Sequence, residues 1–201
     1  VALDDERADG GSRYLVVAPL SDMSGSMRAL LVVDRMPFFA LHEETLQMLN
    51  LLLGYYADGL SASALAAPLR ARFADCPLDF AFEMARMWRV RVESGVASAL
   101  VTLEFPAGDE GRELMQQIAR IQRSLDVVWR VDGGDRPRLL TLMPLAGSAA
   151  VEGYLARIDS WLRQHRGSGL DDSGVGSRIS MLDQVEPVAL LSGVLRVRHG
   201  Q

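Results

Sequence analysis

Residues Arg123 to Leu140 read RSLDVVWRVDGGDRPRLL, and the way this stretch folds decides the architecture of the chain. VVWRV and RLLTLMP are runs of β-branched, aromatic and aliphatic residues. Between them, DGGDRP supplies two glycines and a proline, the residues a tight reversal needs, so residues 127–144 predict a β-hairpin with Asp135 exposed in its turn. Upstream, GRELMQQIARIQRSLD carries apolar residues at helical spacing, which predicts a helix running to Asp126. Downstream, AVEGYLARIDSWLRQH predicts a second helix. GSGLDDSGVGS then reads as a loop, followed by a strand at RISMLD.

Further out, PLDFAFEMARMWRVRVES predicts a helix and ASALVTLEF a buried strand, so helices and strands alternate around one internal hairpin. This pattern predicts an α/β sandwich with a mixed central sheet flanked by helices. PVALLSGVLRVRHG at the C-terminal end fits helix or strand equally well. RYLVVAPL and RALLVVDRM around SDMSGSM predict an antiparallel hairpin near the start. Residues 41–61 follow as a helix whose apolar positions, Leu46, Met48, Leu49, Leu51, Leu52, Leu53, Tyr55 and Tyr56, nearly encircle it, which predicts two packing partners. SASALAAPLRARFADCP is small and interrupted by proline, so it predicts a junction near residues 63–76 between domains at 1–64 and 65–201.

The composition is that of a globular protein: 49% of residues are apolar and 23% charged in a chain of 201. A formal charge of −5 argues against binding a nucleic acid polymer, so any anionic ligand must meet a local cluster of arginines. A lone cysteine, Cys76, excludes an internal disulfide and reads as a small buried hydrophobe. No window is apolar enough for a membrane helix, and VALDDERADGG is too acidic for a signal peptide.

On a helical wheel Leu114, Ile118, Ile121 and Leu125 form one stripe and Arg123 faces solvent, with Asp126 on an adjacent face. The pair reads either as a surface salt bridge worth well under ~1 kcal/mol or as a guanidinium and carboxylate offered to a ligand. In the next helix Val151, Tyr154, Leu155, Ile158, Trp161 and Leu162 form the buried stripe, with Arg157 at its Tyr154/Trp161 border. That arginine either covers the border or stacks on a ligand ring.

Taken in order, the strand ALVTLEF, a helix ending in Arg123-Ser-Leu-Asp126, a hairpin carrying Gly133-Gly134-Asp135 and the closing L-x-L-M-P resemble a GGDEF domain, the diguanylate cyclase fold, over residues 75–183. The resemblance implies that Arg123 and Asp126 form the inhibitory-type site for cyclic di-GMP, with Arg157 as its second arginine. It implies guanine and phosphate contacts for Arg123, the guanine Watson–Crick edge for Asp126, and stacking on the second nucleotide for Arg157, with the ligand bound as an intercalated dimer. Catalysis is not expected. Arg136 and Pro137 stand where the family has Glu-Phe, the metal and nucleotide segment after the first strand is missing, and Glu104 remains as a single carboxylate, a poor magnesium site. No catalytic residue, metal or cofactor is expected beyond the ligand cyclic di-GMP.

Residues 13–62 resemble the C-terminal part of a GAF domain, with RMPFFALHEE among the most telling runs. A GAF half followed by a degenerate GGDEF domain that keeps R-x-x-D resembles the receptor family that switches on Pel exopolysaccharide secretion. That implies the cytoplasmic portion of a bacterial inner-membrane protein, with membrane helices and the first GAF half upstream of residue 1. It further implies other inner-membrane proteins of the secretion complex as partners and a homodimer through the GAF helix. Two alternatives stay open: a residual nucleotide cyclase or phosphodiesterase with an unorthodox metal site, and a ligand-free structural module of the complex.

Overall fold

Two units divide the chain, residues 1–64 and 65–201. The computed structural model describes residues 14–21, 27–35, 42–132, 136–183 and 185–195. VALDDERADGG, most of RMPFFALHEE and Gly133-Gly134-Asp135 lie outside the described residues.

In the first unit strands β1 (Val16–Ser21) and β2 (Met27–Val33) pair antiparallel, Val16 opposite Val33, with a bulge at Leu20/Ser21. Period-two alternation places Val16, Ala18 and Leu20 inside and their neighbours outside. Helix α1 (Glu43–Arg72) opens with Glu43 and Glu44 in its first turn, where acids complement the helix dipole. Met48, Leu51, Leu52, Tyr55 and Tyr56 are exposed along it.

The expected junction at 63–76 is corrected in its local structure. Residues up to Arg72 are helical, with Pro68 inside the helix. The proline removes one backbone donor, but the alanine-rich stretch around it has strong helix propensity. Ala66 and Leu69 are also buried in the core of the second unit.

That second unit continues with α2 (Leu78–Ser94), β3 (Ala99–Glu104), α3 (Asp109–Ile118), β4 (Val127–Val131), β5 (Arg138–Met143), α4 (Ser148–Arg166), β6 (Gly176–Met181) and α5 (Pro187–Leu195). The C-terminal run is therefore helical through Leu195. The α/β class with helices on the sheet stands, but the sheet is antiparallel at every ladder, in the order β4-β5-β3-β6, not mixed. Each helical crossover does join strands of like direction, β3 to β4 and β5 to β6. One strand slots between the members of each pair, so no parallel strands touch, as in a split βαβ arrangement.

Strand alternation gives each face of the sheet its own core. Ala99, Val101, Leu103, Leu139 and Met143 pack with Leu114 and Ile118 of α3 and Val151, Tyr154, Ile158 and Leu162 of α4. Leu100, Trp129, Leu140 and Leu142 pack with Ala66 and Leu69, with Phe80, Met84 and Met87 of α2, and with Leu191 and Val194 of α5. Phe80 tilts against Trp129 at 5.6 Å between ring centroids. Cys76 is buried beside this second core, and burial pushes its thiol up to about 12.

Helix α3 is shorter than the periodicity predicts. It stops at Ile118, and the chain continues through tight turns in which Arg120 N–H donates to the Gln117 carbonyl and Ile121 N–H to that of Ile118. Leu125, expected in the buried stripe, is 68% exposed. At its start α3 lies so close to Pro106 that a Cβ on Gly111 would fall 1.8 Å from the Pro106 carbonyl oxygen.

Candidate functional site

Early termination of α3 changes what Arg123 and Asp126 are. They belong to the turn entering β4, not to a helix face. The Asp126 carboxylate is 8% exposed, and its Oδ2 accepts the Arg123 backbone N–H at 2.9 Å. In return Asp126 N–H donates to the Arg123 carbonyl at 3.1 Å. An aspartate that captures a backbone donor three residues earlier competes with helical pairing, so the helix that ends at Ile118 does not resume before β4. The Arg123 side chain is exposed, and among the described residues it enters none of the ion pairs. The surface salt bridge between Arg123 and Asp126 is thus replaced by a backbone lock that leaves the guanidinium outside.

Helix α4 supplies the facing wall. Val151, Tyr154, Ile158 and Leu162 are buried, while Leu155 and Trp161 pack partly buried on the same core. The Tyr154 hydroxyl meets Thr141 Oγ1 of β5 at 3.0 Å. Burial raises the Tyr154 phenol above its ordinary value. The Thr141 hydrogen bond acts against that, the Asp126 carboxylate adds to it, and the Arg157 guanidinium opposes it. The Arg157 guanidinium carbon lies 5.8 Å from the Tyr154 ring centroid, within cation–π range.

Beside this group an open groove of about 400 Å³ is lined by Ile121, Ala156, Arg157, Ser160, Trp161 and Gln164. Trp161 stacks on His165 with centroids 4.4 Å apart and planes at 16°, which fixes the indole at the groove. The groove offers an arginine and an aromatic wall, suited to a planar anionic ligand. The Tyr154–Thr141 pair, Ser160 and Gln164 were not among the residues singled out in the sequence. Trp161 was read as core, and the structure shows that it also borders the groove.

Glu104, the remaining candidate metal ligand, ends β3. Its Oε2 accepts from Arg138 Nε at 3.1 Å and its Oε1 from an Arg136 guanidinium nitrogen at 3.4 Å. The charge that a metal would answer is already met by two guanidiniums. Among the described residues no three histidine, cysteine or acidic side chains gather as a metal cluster, and no helix is long and apolar enough to cross a membrane.

Comparison with solved structures places the chain near PelD of Pseudomonas aeruginosa. A PelD crystal structure from strain PAO1 matches at a TM-score of 0.56 and 28% identity, covering 90% of this chain and 64% of its own. PelD from PAO1 in complex with c-di-GMP matches at 0.54 and 29%, again over 90% of this chain and 64% of that one. PelD from strain PA14 in complex with c-di-GMP matches at 0.53 and 28%, over 92% and 63%. This chain thus spans slightly less than two thirds of these relatives. No curated protein matches it. The family model of the PelD GGDEF domain matches residues 74–197, well over half of the chain and all of the turn, hairpin and α4 described above, and the chain belongs to that family.

Proposed function

We propose that this chain is the sensing portion of a cyclic di-GMP receptor controlling Pel exopolysaccharide synthesis and export, with Arg123, Asp126 and Arg157 as its ligand contacts. The observation that carries the proposal is Arg157, 5.8 Å from the Tyr154 ring centroid and lining the groove of α4 together with Trp161, in a domain whose turn leaves the Arg123 guanidinium exposed. PelD relatives solved with c-di-GMP support the choice of ligand. In this reading the outward Arg123 guanidinium forks onto guanine O6 and N7 or phosphate oxygens. Asp126 keeps Oδ2 on the turn and accepts the guanine N1 and N2 donors through Oδ1. Arg157 stacks on the second base. Arg157 in an open groove and the exposed Arg123 guanidinium suit an intercalated ligand dimer.

The same proposal makes the domain catalytically silent and free of metal and cofactor. Joining two GTP molecules needs a metal-held triphosphate, and Glu104 is taken by Arg136 and Arg138. Binding becomes a signal only through different affinities for two states, so the output is assigned to a partner in an inner-membrane secretion complex. The exposed apolar residues of α1 are assigned to that contact or to self-association through the GAF-like helix. Calorimetric titration with cyclic di-GMP, and separately with GTP plus magnesium, tests the reading. Saturable heat with the first and an unchanged GTP pool with the second are expected. No cyclic di-GMP binding, or steady turnover of GTP, overturns it.

A further inference from the structure

A second polar cavity lies on the opposite face of the sheet from the Tyr154 groove, where β3, β5 and β6 end beneath α5. It encloses about 190 Å³ and is lined by Thr102, Glu104, Arg138, Gly176, Arg178 and Val194. Strand register explains how it is built. Arg138, Glu104 and Gly176 form one cross-strand row, and Leu140, Thr102 and Arg178 form the next. Residues directly opposite one another in a ladder share a face. In the first row Gly176 contributes no side chain, so space opens beside Glu104, with Val194 of α5 at its border.

Two observations say what that space suits. The first is charge. Arg136 and Arg138 both pair with Glu104, and Arg178 adds a third guanidinium at the cavity, so three cations meet one carboxylate. An excess of two positive charges is notable in a chain whose net charge is −5. The second is an orphaned hydroxyl. Thr102 is 7% exposed, and its Oγ1 is buried with no hydrogen-bond partner among the described residues. A hydroxyl removed from water costs free energy unless an acceptor answers it. It lines the same cavity as the arginines.

We infer that this cavity binds a small oxyanion of the phosphate class, held by Arg178 with the Thr102 hydroxyl donating to one of its oxygens, while Arg138, whose Nε and Nη1 already meet Glu104 and the Leu195 carbonyl, adds positive charge. Arginine forks match the spacing of phosphate oxygens. The volume falls below the ~300 to 1,000 Å³ of pockets that enclose drug-sized ligands, so the occupant is a free phosphate or the phosphoryl end of a phosphomonoester, not a whole nucleotide. Magnesium plays no part, because Glu104 is already neutralised by arginine. The inference is independent of cyclic di-GMP binding, which uses the other face of the sheet.

The test is thermal unfolding of the whole chain against inorganic phosphate, and in parallel against GMP, at ionic strength held constant with chloride and without magnesium. Saturable stabilisation is expected. Arg178→Gln, at an exposed position outside both cores, should weaken it about tenfold, and Thr102→Val should weaken it as well. Glu104→Gln should tighten it by removing the opposing charge. Tighter binding of GMP than of phosphate would assign a phosphomonoester, and the reverse would assign free phosphate. A response no larger than that to chloride, one unchanged in Arg178→Gln, or one that requires magnesium would overturn the inference. Cyclic di-GMP affinity, measured on the same Arg178→Gln protein, should equal that of the unmutated chain, so failure here is distinguishable from failure of the receptor reading.

Discussion

Replacing Asp126 separates two duties that the structure assigns to one side chain. Its Oδ2 closes the turn on Arg123 N–H at 2.9 Å from a position 8% exposed, much as an N-cap residue satisfies a free backbone donor. Asp126→Ala removes that acceptor and should cost about 1 to 2 kcal/mol, the range for losing a side-chain cap. For a unit of this size the loss lowers Tm by roughly 3 to 6 °C. Asp126→Asn keeps a side-chain oxygen for the turn, so its cost should stay below about 1 kcal/mol. Both variants lose the carboxylate that would accept from guanine N1 and N2, and both should weaken cyclic di-GMP binding by roughly 1 to 3 kcal/mol. Paired thermal unfolding and calorimetry on the two variants measure this. Wild-type affinity in Asp126→Asn would show that Asp126 only positions Arg123. An unchanged Tm in Asp126→Ala would refute the turn lock itself.

Three further outcomes follow from the packing. Gly111→Ala should destabilise the chain by about 1 to 3 kcal/mol in thermal unfolding, because the new methyl collides with the Pro106 carbonyl and overpacking outweighs the gain in helix propensity. Cys76 should resist an exposed-thiol reagent at pH 8 in the native state and react at once in urea. Burial holds its folded value at about 12, above the ordinary thiol value, so the native state holds the proton longer, and this group's contribution to stability, full below the ordinary value, falls as pH rises toward about 12. Leu52→Glu or Tyr56→Glu, on the exposed side of α1, should leave cyclic di-GMP affinity intact and reduce self-association or partner capture as read by solution mass. Unchanged mass and capture would remove α1 as a docking face.

Much of the second unit was legible because its signals are local. Runs of β-branched, aromatic and aliphatic residues marked β3, β4 and β5, Gly133-Gly134 with Pro137 marked the reversal between the last two, and the stripe Val151, Tyr154, Ile158, Leu162 marked α4. The misreadings arose where a tertiary contact outvoted a local pattern. Apolar spacing carried the helix on to Leu125, yet α3 stops at Ile118 and the Asp126 carboxylate holds Arg123 N–H in a turn before β4. Pro68 read as a break, yet burial of Ala66 and Leu69 held α1 through Arg72. Helix–strand alternation cannot show that β5 slots between β3 and β4, which makes the sheet antiparallel. The site was half legible. Arg157 falls at the Tyr154/Trp161 border of a visible stripe, whereas the Asp126 lock on Arg123 N–H depends on where the helix ends, which the apolar spacing misplaced.

Calorimetry of cyclic di-GMP binding to three variants side by side, Arg123→Ala, Arg157→Ala and Arg178→Gln, bears most directly on the central claim. Each arginine is exposed, so all three proteins should unfold at nearly the same temperature. Arg123→Ala and Arg157→Ala should each lose roughly 1 to 3 kcal/mol of affinity, while Arg178→Gln, on the opposite face of the sheet, should bind like the unmutated chain. Full affinity in both Arg123→Ala and Arg157→Ala would contradict the account.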